Sequence, residues 1–421
     1  MAKEKTAAPK ADDFDKILDG LEKQFGDGNI FNGEDALLKD KRIMLSAPRL
    51  SWAYGGSFKL NAIHRLNGAE SSGKTTLATY LAAECQRAKY EETKDWSNCH
   101  VVVLDNERTF DISHAKDLGL HVTNPETGKP LLHVCRNLYV DDQEVAYEKM
   151  VVSGKVCCCI YDSDAAGIDK ASFGEVGNDD ISKATFGSGA KASGTVIKRM
   201  NYFVDRYSTP VVWISQERTN MTPMSHLNAV TGGMAVNFYP STRFRVSARE
   251  PITRNGEMVG IKIKIKNYKN KTGIPNRECL LDLYFHDGPD YKAGIDGEGQ
   301  YLDMALELGL VTQHGAWYYY RENDPNPENL VKCQGWGGLQ TWFKENKDEF
   351  EKIKIEIDAK MSCYDETLDK NSVEVDEAEA IKQEAIETAK RKAANTEKLA
   401  EEAIANSGEG SSETPAEAAT E

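Results

Sequence analysis

Residues Gly68-Ala69-Glu70-Ser71-Ser72-Gly73-Lys74-Thr75 fit the spacing G-x-x-x-x-G-K-[ST]. Glycines so spaced let consecutive backbone N–H groups wrap a β-phosphate, and a helix starting behind them adds the positive end of its dipole. Lys74 then reaches the β- and γ-phosphates and Thr75 offers an oxygen to Mg²⁺, so ATP with Mg²⁺ is the expected cofactor. A phosphate loop of this kind is completed by a carboxylate on the metal side, and Asp162, followed by Ser163, closes the apolar run Val156 to Tyr161. Thr75 and Asp162 are the expected metal-side pair. Phosphoryl transfer to water also needs a general base. Glu107 lies just past the run Val101 to Leu104, but Asp105 is equally placed, so spacing alone leaves that role open between them. Gln216, at the end of the run Val211 to Ile214, is placed to sense the γ-phosphate and pass its state into the following loop; taken alone, it fits a sheet-edge hydrogen bonder equally well.

These groups converge only if the runs before them are neighbouring strands. Ala62 to Leu66, Val101 to Leu104, Val156 to Tyr161 and Val211 to Ile214 are each of strand length and end in polar residues. The intervening segments are long enough for crossover helices, one of them carrying Leu77, Leu81, Cys85 and Ala88 on one face. This alternation predicts an α/β fold with a mainly parallel sheet covered on both sides and ligands at the carboxyl ends of its strands. Farther on the period becomes two. Ile261, Ile263 and Ile265 alternate with Lys262, Lys264 and Lys266, and Cys279 to Phe285 supplies a partner, so an antiparallel extension of the sheet is expected, its lysine row reading first as a solvated face.

Near the amino terminus Phe14, Ile17, Leu18, Leu21 and Phe25 fall at helical spacing and stop at Gly26 and Gly28, which predicts a short amphipathic helix. A helix this short has to dock its stripe on its own core or on a neighbouring subunit. The chain divides into residues 1–12, expected to be disordered; 13–45, a helical head and linker; 46–287, the phosphate-loop core; 288–370, a small α/β module; and 371–421, a mobile acidic tail.

At 421 residues, with 40% hydrophobic and 28% charged residues, the chain suits a main domain with appendages and not wholesale disorder. No apolar run approaches the roughly 20 residues of a bilayer span, and Met1 to Lys10 lacks the apolar stretch of a signal peptide, so a cytoplasmic protein with no membrane partner is expected. Nine cysteines, three adjacent at Cys157, Cys158 and Cys159, include no C-x-x-C pair and read as reduced, buried, small hydrophobes. The net charge is −15, and Asn371 to Glu421 holds 13 acids against 5 bases, more than half of it. The remaining body is still acidic. Any contact with a polyanion must therefore come from a local groove of oriented amides and a few bases.

Together these segments resemble the RecA family. Gly68 to Thr76 is similar to the family's phosphate loop, with Ala69 where bacterial members usually have proline, and the likeness adds Thr76 to the nucleotide contacts. Asp105-Asn106-Glu107-Arg108 resembles the segment bearing the family's catalytic glutamate, which implies Glu107 as the base. Asp162-Ser163 matches the metal-side strand end, and Ile214-Ser215-Gln216-Glu217-Arg218 the strand entering the second DNA loop. Thr231-Gly232-Gly233 with Asn237-Phe238-Tyr239 matches the exit from that loop. Leu21 to Gly26 with Gly33-Glu34-Asp35 looks like the head that docks on the next subunit. Lys269-Asn270-Lys271 with Pro275 resembles the lysine pair projected across the interface onto the neighbour's ATP. Gly315-Ala316-Trp317-Tyr318 lies in the module that helps gather duplex DNA. The likeness spans roughly residues 14 to 365. It departs at His114, which stands where the family stacks a tyrosine on adenine, with Asp111 as a further nucleotide contact. It departs again at the first DNA loop, about 172–194, which is longer and richer in glycine and serine than the family pattern.

The resemblance implies a RecA-type P-loop ATPase that forms filaments on single-stranded DNA, pairs it with homologous double-stranded DNA and promotes strand exchange, with DNA-stimulated ATP hydrolysis at subunit interfaces. It implies catalytic roles for Glu107, Lys74, Gln216, Lys269 and Lys271, and DNA contacts from Arg218, Met221, Gly232 and Gly233, the second DNA loop spanning about 217–231. Phe25, Phe238, Lys269 and Lys271 become subunit contacts. The partners it implies are both forms of DNA, further copies of the chain in a helical assembly, and single-strand-binding and mediator proteins. The divergence points to a bacteriophage member, similar in role to UvsX-type recombinases and working in host cytoplasm. Two other functions share the core: a hexameric helicase motor, against which the head and the lysine pair count, and a nucleotide-switched DNA-binding scaffold, against which Glu107 counts.

Overall fold

Parallel strands buried on both faces favour apolar residues along their length, and the centre of the sheet is built from largely apolar runs. The computed structural model describes residues 14–25, 40–167, 188–218, 229–230, 233–288 and 291–362. In chain order the elements are α1 (Phe14–Phe25), β1 (Arg42–Ile43), α2 (Pro48–Ala53), β2 (Phe58–Lys59), β3 (Ile63–Gly68), α3 (Lys74–Thr93), β4 (His100–Asp105), α4 (Ile112–Asp117), β5 (Leu132–Cys135), α5 (Val140–Val151) and β6 (Val156–Asp162). Then come α6 (Ser188–Tyr207), β7 (Val211–Arg218), β8 (Ala229–Val230), α7 (Gly233–Phe238), β9 (Thr242–Arg254), β10 (Glu257–Asn270), β11 (Glu278–Tyr284) and β12 (Gly294–Ile295). The last are α8 (Gly297–Glu307), β13 (Val311–His314), β14 (Trp317–Tyr320), β15 (Val331–Gln334), α9 (Gly335–Glu345) and α10 (Lys347–Ser362).

The sheet runs β12-β11-β10-β9-β3-β7-β6-β4-β5, with β8 pairing β7. Strands β9, β3, β7, β6, β4 and β5 are mutually parallel, and β9 to β12 continue as the antiparallel extension expected from the period-two pattern. Val101 and Val103 face one core with Leu77 and Leu81 of α3, while Val102 and Leu104 face the other with Tyr147 of α5 and Met200 of α6. Ile263 and Ile265 are buried; Lys262 is exposed, and Lys264 pairs with Glu278 at 2.8 Å. The three-stranded sheet β13-β14-β15 has its own core, in which Leu302, Tyr320, Leu339 and Ile353 meet.

Two places depart from simple patterning. Cys157 and Cys158 share one core while Cys159 joins the other, because the β4–β6 register shifts at His100/Val101. All three are buried, and burial pushes the thiols of Cys157 and Cys159 up. In addition, α6 starts at Ser188, inside the stretch expected as loop up to Gly194. Val196, Ile197, Met200 and Val204 fall on one face in the second core, and that burial sustains a helix whose first turn is rich in small residues. Residues 172–187 of that loop, residues 1–12 and the acidic tail lie outside the described residues. In α1 the stripe is partly bare: Phe14 is 63% and Ile17 40% exposed.

Candidate nucleotide site

Register brings the motif residues to one edge of the sheet. Gly68 at the end of β3 lies level with Gln216 on β7, and Asp105 of β4 lies level with Asp162 of β6. Gly68 has to be glycine: a Cβ there would come 2.3 Å from the Val246 carbonyl oxygen of β9 and 2.7 Å from Ser72 Oγ. The chain then curls through two left-handed positions, Ser71 (φ 57°) and Gly73 (φ 90°), and enters α3 at Lys74. Among the described residues no side chain caps that first turn, so its N–H groups face the loop. Ser72 Oγ is buried with no hydrogen-bond partner among the described residues. Lys74, 8% exposed, turns back to donate to the Ala69 carbonyl at 2.5 Å. Burial pulls its pKa down against the attraction of Asp162, Glu107, Glu217 and Glu70. A cradle of uncapped amides, an orphaned hydroxyl and a buried ammonium fits a triphosphate over Gly68 to Thr76.

On the metal side Thr75 Oγ1 donates to Asp162 Oδ2 at 2.8 Å. Burial, then the nearby Glu107 and Asp105, push the Asp162 pKa up to about 6, while the Thr75 bond and Lys74 oppose the rise. A buried carboxylate short of positive charge suits a divalent cation. The sign of the linkage follows. Because the folded pKa lies above the ordinary 3.8, the ionised carboxylate costs the folded chain stability above about pH 6, and that cost fades as pH falls toward 4. Asp162→Asn is therefore expected to stabilise the nucleotide-free protein at pH 7.5 by up to about 3 kcal/mol, a pKa unit being worth about 1.4. The gain should vanish near pH 4 and be accompanied by weaker Mg²⁺-ATP binding. Denaturant melts of both proteins at the two pH values measure it; equal stability at pH 7.5 would contradict the strained-carboxylate reading.

Opposite the phosphate loop, Glu107 Oε1 accepts from Ser163 Oγ at 2.5 Å and from Gln216 Nε2 at 2.7 Å. The N–H groups of Asn106 and Glu107 both donate to the Asp162 carbonyl, at 2.6 and 3.3 Å, fixing this turn on β6. Asp105, equal to Glu107 by spacing, is otherwise engaged. Its buried carboxylate accepts from the N–H groups of Thr109 and Phe110 and from Arg136 Nε at 2.7 Å. The carboxylate of Asp111 accepts from Ser113 N at 2.7 Å and His114 N at 3.1 Å and so caps α4.

The remaining expected residues lie elsewhere. Lys269 and Lys271, where β10 ends, donate to the carboxyl end of α7. Lys269 Nζ reaches the carbonyls of Asn237 at 3.0 Å and Phe238 at 2.7 Å, and Lys271 Nζ reaches that of Phe238 at 3.2 Å. Burial, then Lys271 and Arg243, pull the Lys269 pKa down to about 8. Phe238 is 67% exposed. Arg218 closes β7, where its backbone pairs with Ala229; Gly233 opens α7, and Phe25 closes α1. Met221 and Gly232 lie outside the described residues. Neither Arg136, which holds Asp105, nor Arg65, a charge inside the apolar run Ala62 to Leu66, belongs to a motif that would single it out in the sequence.

The family model of the RecA N-terminal domain matches residues 12–290. The chain belongs to the RecA family. RecA of Halalkalibacterium halodurans is 31% identical over 352 residues, covering 82% of this chain and 90% of its own. RecA of Bacillus thuringiensis is likewise 31% identical over 352 residues, covering 82% and 91%. RecA of Ruminococcus albus is 32% identical over 311 residues, covering 72% and 70%. The large, mostly parallel sheet described above is accordingly a RecA-type α/β fold. RecA-family proteins are DNA-dependent ATPases of recombination and repair that use ATP and Mg²⁺. Among the described residues no helix is long and apolar enough to cross a membrane.

Proposed function

We propose that this RecA-family recombinase assembles as a helical filament on single-stranded DNA, pairs it with homologous duplex, promotes strand exchange, and hydrolyses ATP at the joints between subunits. The observation that carries this reading is that its charged machinery comes in two separate sets. Lys74, Thr75, Asp162, Glu107 and Gln216 converge at the strand ends, while Lys269 and Lys271 lie on the carboxyl end of α7 beside the exposed Phe238. Two such sets make one site when a head-to-tail neighbour brings the second to the first, and head-to-tail contacts that do not close into a ring grow into helices. Phe238 and the stripe of α1, including Phe25, would cover apolar surface in that joint.

Thr75 and Asp162 would hold Mg²⁺, which would supply positive charge to the triphosphate. Lys74 leaves the Ala69 carbonyl for the phosphate oxygens. The Glu107 carboxylate takes a proton from the attacking water as its oxygen bonds to the γ-phosphorus and the bond to the ADP oxygen breaks, giving ADP and phosphate. Lys269 and Lys271 of the neighbour neutralise the transferred group, so its release loosens the joint. Gln216 carries the state of the γ-phosphate along β7 toward Arg218 and the second DNA loop. There Arg218 and the amides of Gly232 and Gly233 hold phosphates and Met221 wedges between groups of bases, so most single strands bind alike. His114 would face adenine, with Asp111 as a further nucleotide contact.

The division into head (13–45), ATPase core (46–287), duplex-gathering module (288–370) and acidic tail (371–421) belongs to the same proposal, as do mediator and single-strand-binding partners and a bacteriophage source. Electron microscopy with single-stranded DNA and a slowly hydrolysed ATP analogue tests it: helical filaments are expected, whereas hexameric rings would favour a helicase and scattered monomers would remove the shared site. The tail should act as a brake that competes with DNA for basic surface over a Debye length of about 10 Å at 0.1 M salt. Deleting residues from Asn371 onward is expected to raise duplex affinity at low salt and to do little at 0.5 M; unchanged affinity at low salt would leave the tail a solubility element.

A further inference from the structure

A guanidinium inside a sheet is costly unless its donors are satisfied, and β3 contains one. The side chains of Arg65 and Asp164 are both fully buried. Arg65 Nε donates to Ser215 Oγ on β7 at 2.8 Å. Its Nη1 donates to Asn237 Oδ1 at 2.6 Å and to the Val236 carbonyl at 3.1 Å, both on α7, and its Nη2 faces Asp164 Oδ2 at 3.5 Å. Asp164 in turn accepts from Ser215 Oγ at 2.6 Å and Trp213 Nε1 at 3.3 Å. Burial pulls the Arg65 pKa down to about 10 with Asp164 opposing, so the group stays charged at neutral pH.

Such an ion pair is weak evidence for stability, since apolar packing of the same volume does as well. Its position is more informative. Ser215 directly precedes Gln216, whose amide is 2.7 Å from Glu107 Oε1. Asn237 accepts Arg65 on its side chain and Lys269 on its main-chain carbonyl, at 3.0 Å. Phe238, the next residue, takes both lysines. A single planar fork thus joins the strand that carries Gln216 to the helix end that holds the lysine pair.

We infer that Arg65, with Ser215 and Asn237, forms a positioning relay that couples the nucleotide bound by one subunit to the lysines that subunit offers to the next. The inference rests on the function proposed above and deepens it: neighbouring ATP sites become linked through the interior of each subunit. A guanidinium holds its donors in one rigid plane, so displacement of Ser215 with Gln216 cannot leave Asn237 in place without breaking a bond. The end of α7 then shifts, and Lys269 and Lys271 shift with it.

Asn237→Ala removes the side-chain acceptor and leaves the carbonyl that holds Lys269; Asn237→Asp restores an acceptor oxygen. ATP turnover with and without single-stranded DNA, across ATP concentrations, is the readout. For Asn237→Ala, DNA-free turnover and the KM for ATP are expected to stay within about twofold of wild type. Stimulation by DNA should fall about tenfold or more, in the range of ordinary coupling energies, and the Hill slope in ATP should approach 1. Asn237→Asp should recover most of the stimulation. Ser215→Ala, which cuts the relay at its other end, should give the same loss, and the double variant should be no worse than either single. Undiminished stimulation and cooperativity in Asn237→Ala would overturn the relay, as would equal losses in Asn237→Ala and Asn237→Asp. Should Asn237→Ala unfold, Ser215→Ala decides by the same criteria. A wild-type protein with no DNA stimulation at all would overturn the functional reading and the relay together, whereas equal stimulation in wild type and variants overturns the relay alone.

Discussion

Glu107→Gln is expected to lower ATP turnover by about 10²- to 10⁴-fold, the usual worth of a positioned general base, while leaving ATP-dependent binding to single-stranded DNA nearly unchanged. The substitution is close to isosteric. A glutamine Oε1 can still accept from Ser163 and Gln216, as Glu107 Oε1 does at 2.5 and 2.7 Å, so the fold of the turn and the position of Gln216 survive. Only the capacity to take a proton from water is lost. Single-turnover hydrolysis of ATP by the variant on DNA measures the step directly. Unchanged turnover would remove Glu107 from the reaction, and Asp105 would be a poor replacement. Its carboxylate holds two backbone N–H groups and Arg136 and is fully buried.

Lys269→Ala combined with Lys271→Ala should abolish DNA-stimulated hydrolysis, by about 10³-fold if the pair acts as trans-supplied cations do in other phosphoryl-transfer sites. The variant should remain folded. Among the described residues these ammonium groups hydrogen-bond to the last carbonyls of α7, where cations at a helix end contribute about 0.3–1 kcal/mol each. Thermal melting and circular dichroism separate a folded, inactive protein from an unfolded one. Persistent stimulated hydrolysis would place the lysines outside the site. The pH dependence provides a second check. With its pKa drawn down to about 8, Lys269 loses its charge in mildly alkaline solution, so ATP-dependent assembly should weaken as pH rises from 7 to 9.

The parts of the site that depend on local backbone geometry are legible in the sequence. Gly68 and Gly73 mark positions where a Cβ collides or φ turns positive, and the motif is a record of those restrictions. The four apolar runs identify four central strands because such strands are buried on both faces. Each observed strand extends past its apolar run, β4 to Asp105, β6 to Asp162 and β7 to Arg218, since ladder pairing continues beyond the last hydrophobic side chain. What composition and spacing do not show is set by partners far away in the chain. Asp105 differs from Glu107 because Arg136 reaches it, and Arg65 finds its partners between 99 and 172 positions downstream. By composition Lys264 and Lys269 are alike, two lysines of one long strand, yet the first pairs with Glu278 and the second turns to α7. The amino end of α6 reads as loop from its serines and glycines, and burial of Val196 and Ile197 overrides that preference.

The shared joint is tested most directly by mixing two inactive proteins. One carries Lys74→Ala, which disables its own phosphate loop and leaves the lysine pair intact; the other carries Lys269→Ala and Lys271→Ala, which does the reverse. In a random head-to-tail array on single-stranded DNA, roughly a quarter of the joints would unite an intact loop with an intact pair. ATP turnover should then recover to about that fraction of wild type. A mixture as inactive as either component alone, formed under conditions where both bind the DNA, would show that each subunit completes its site by itself.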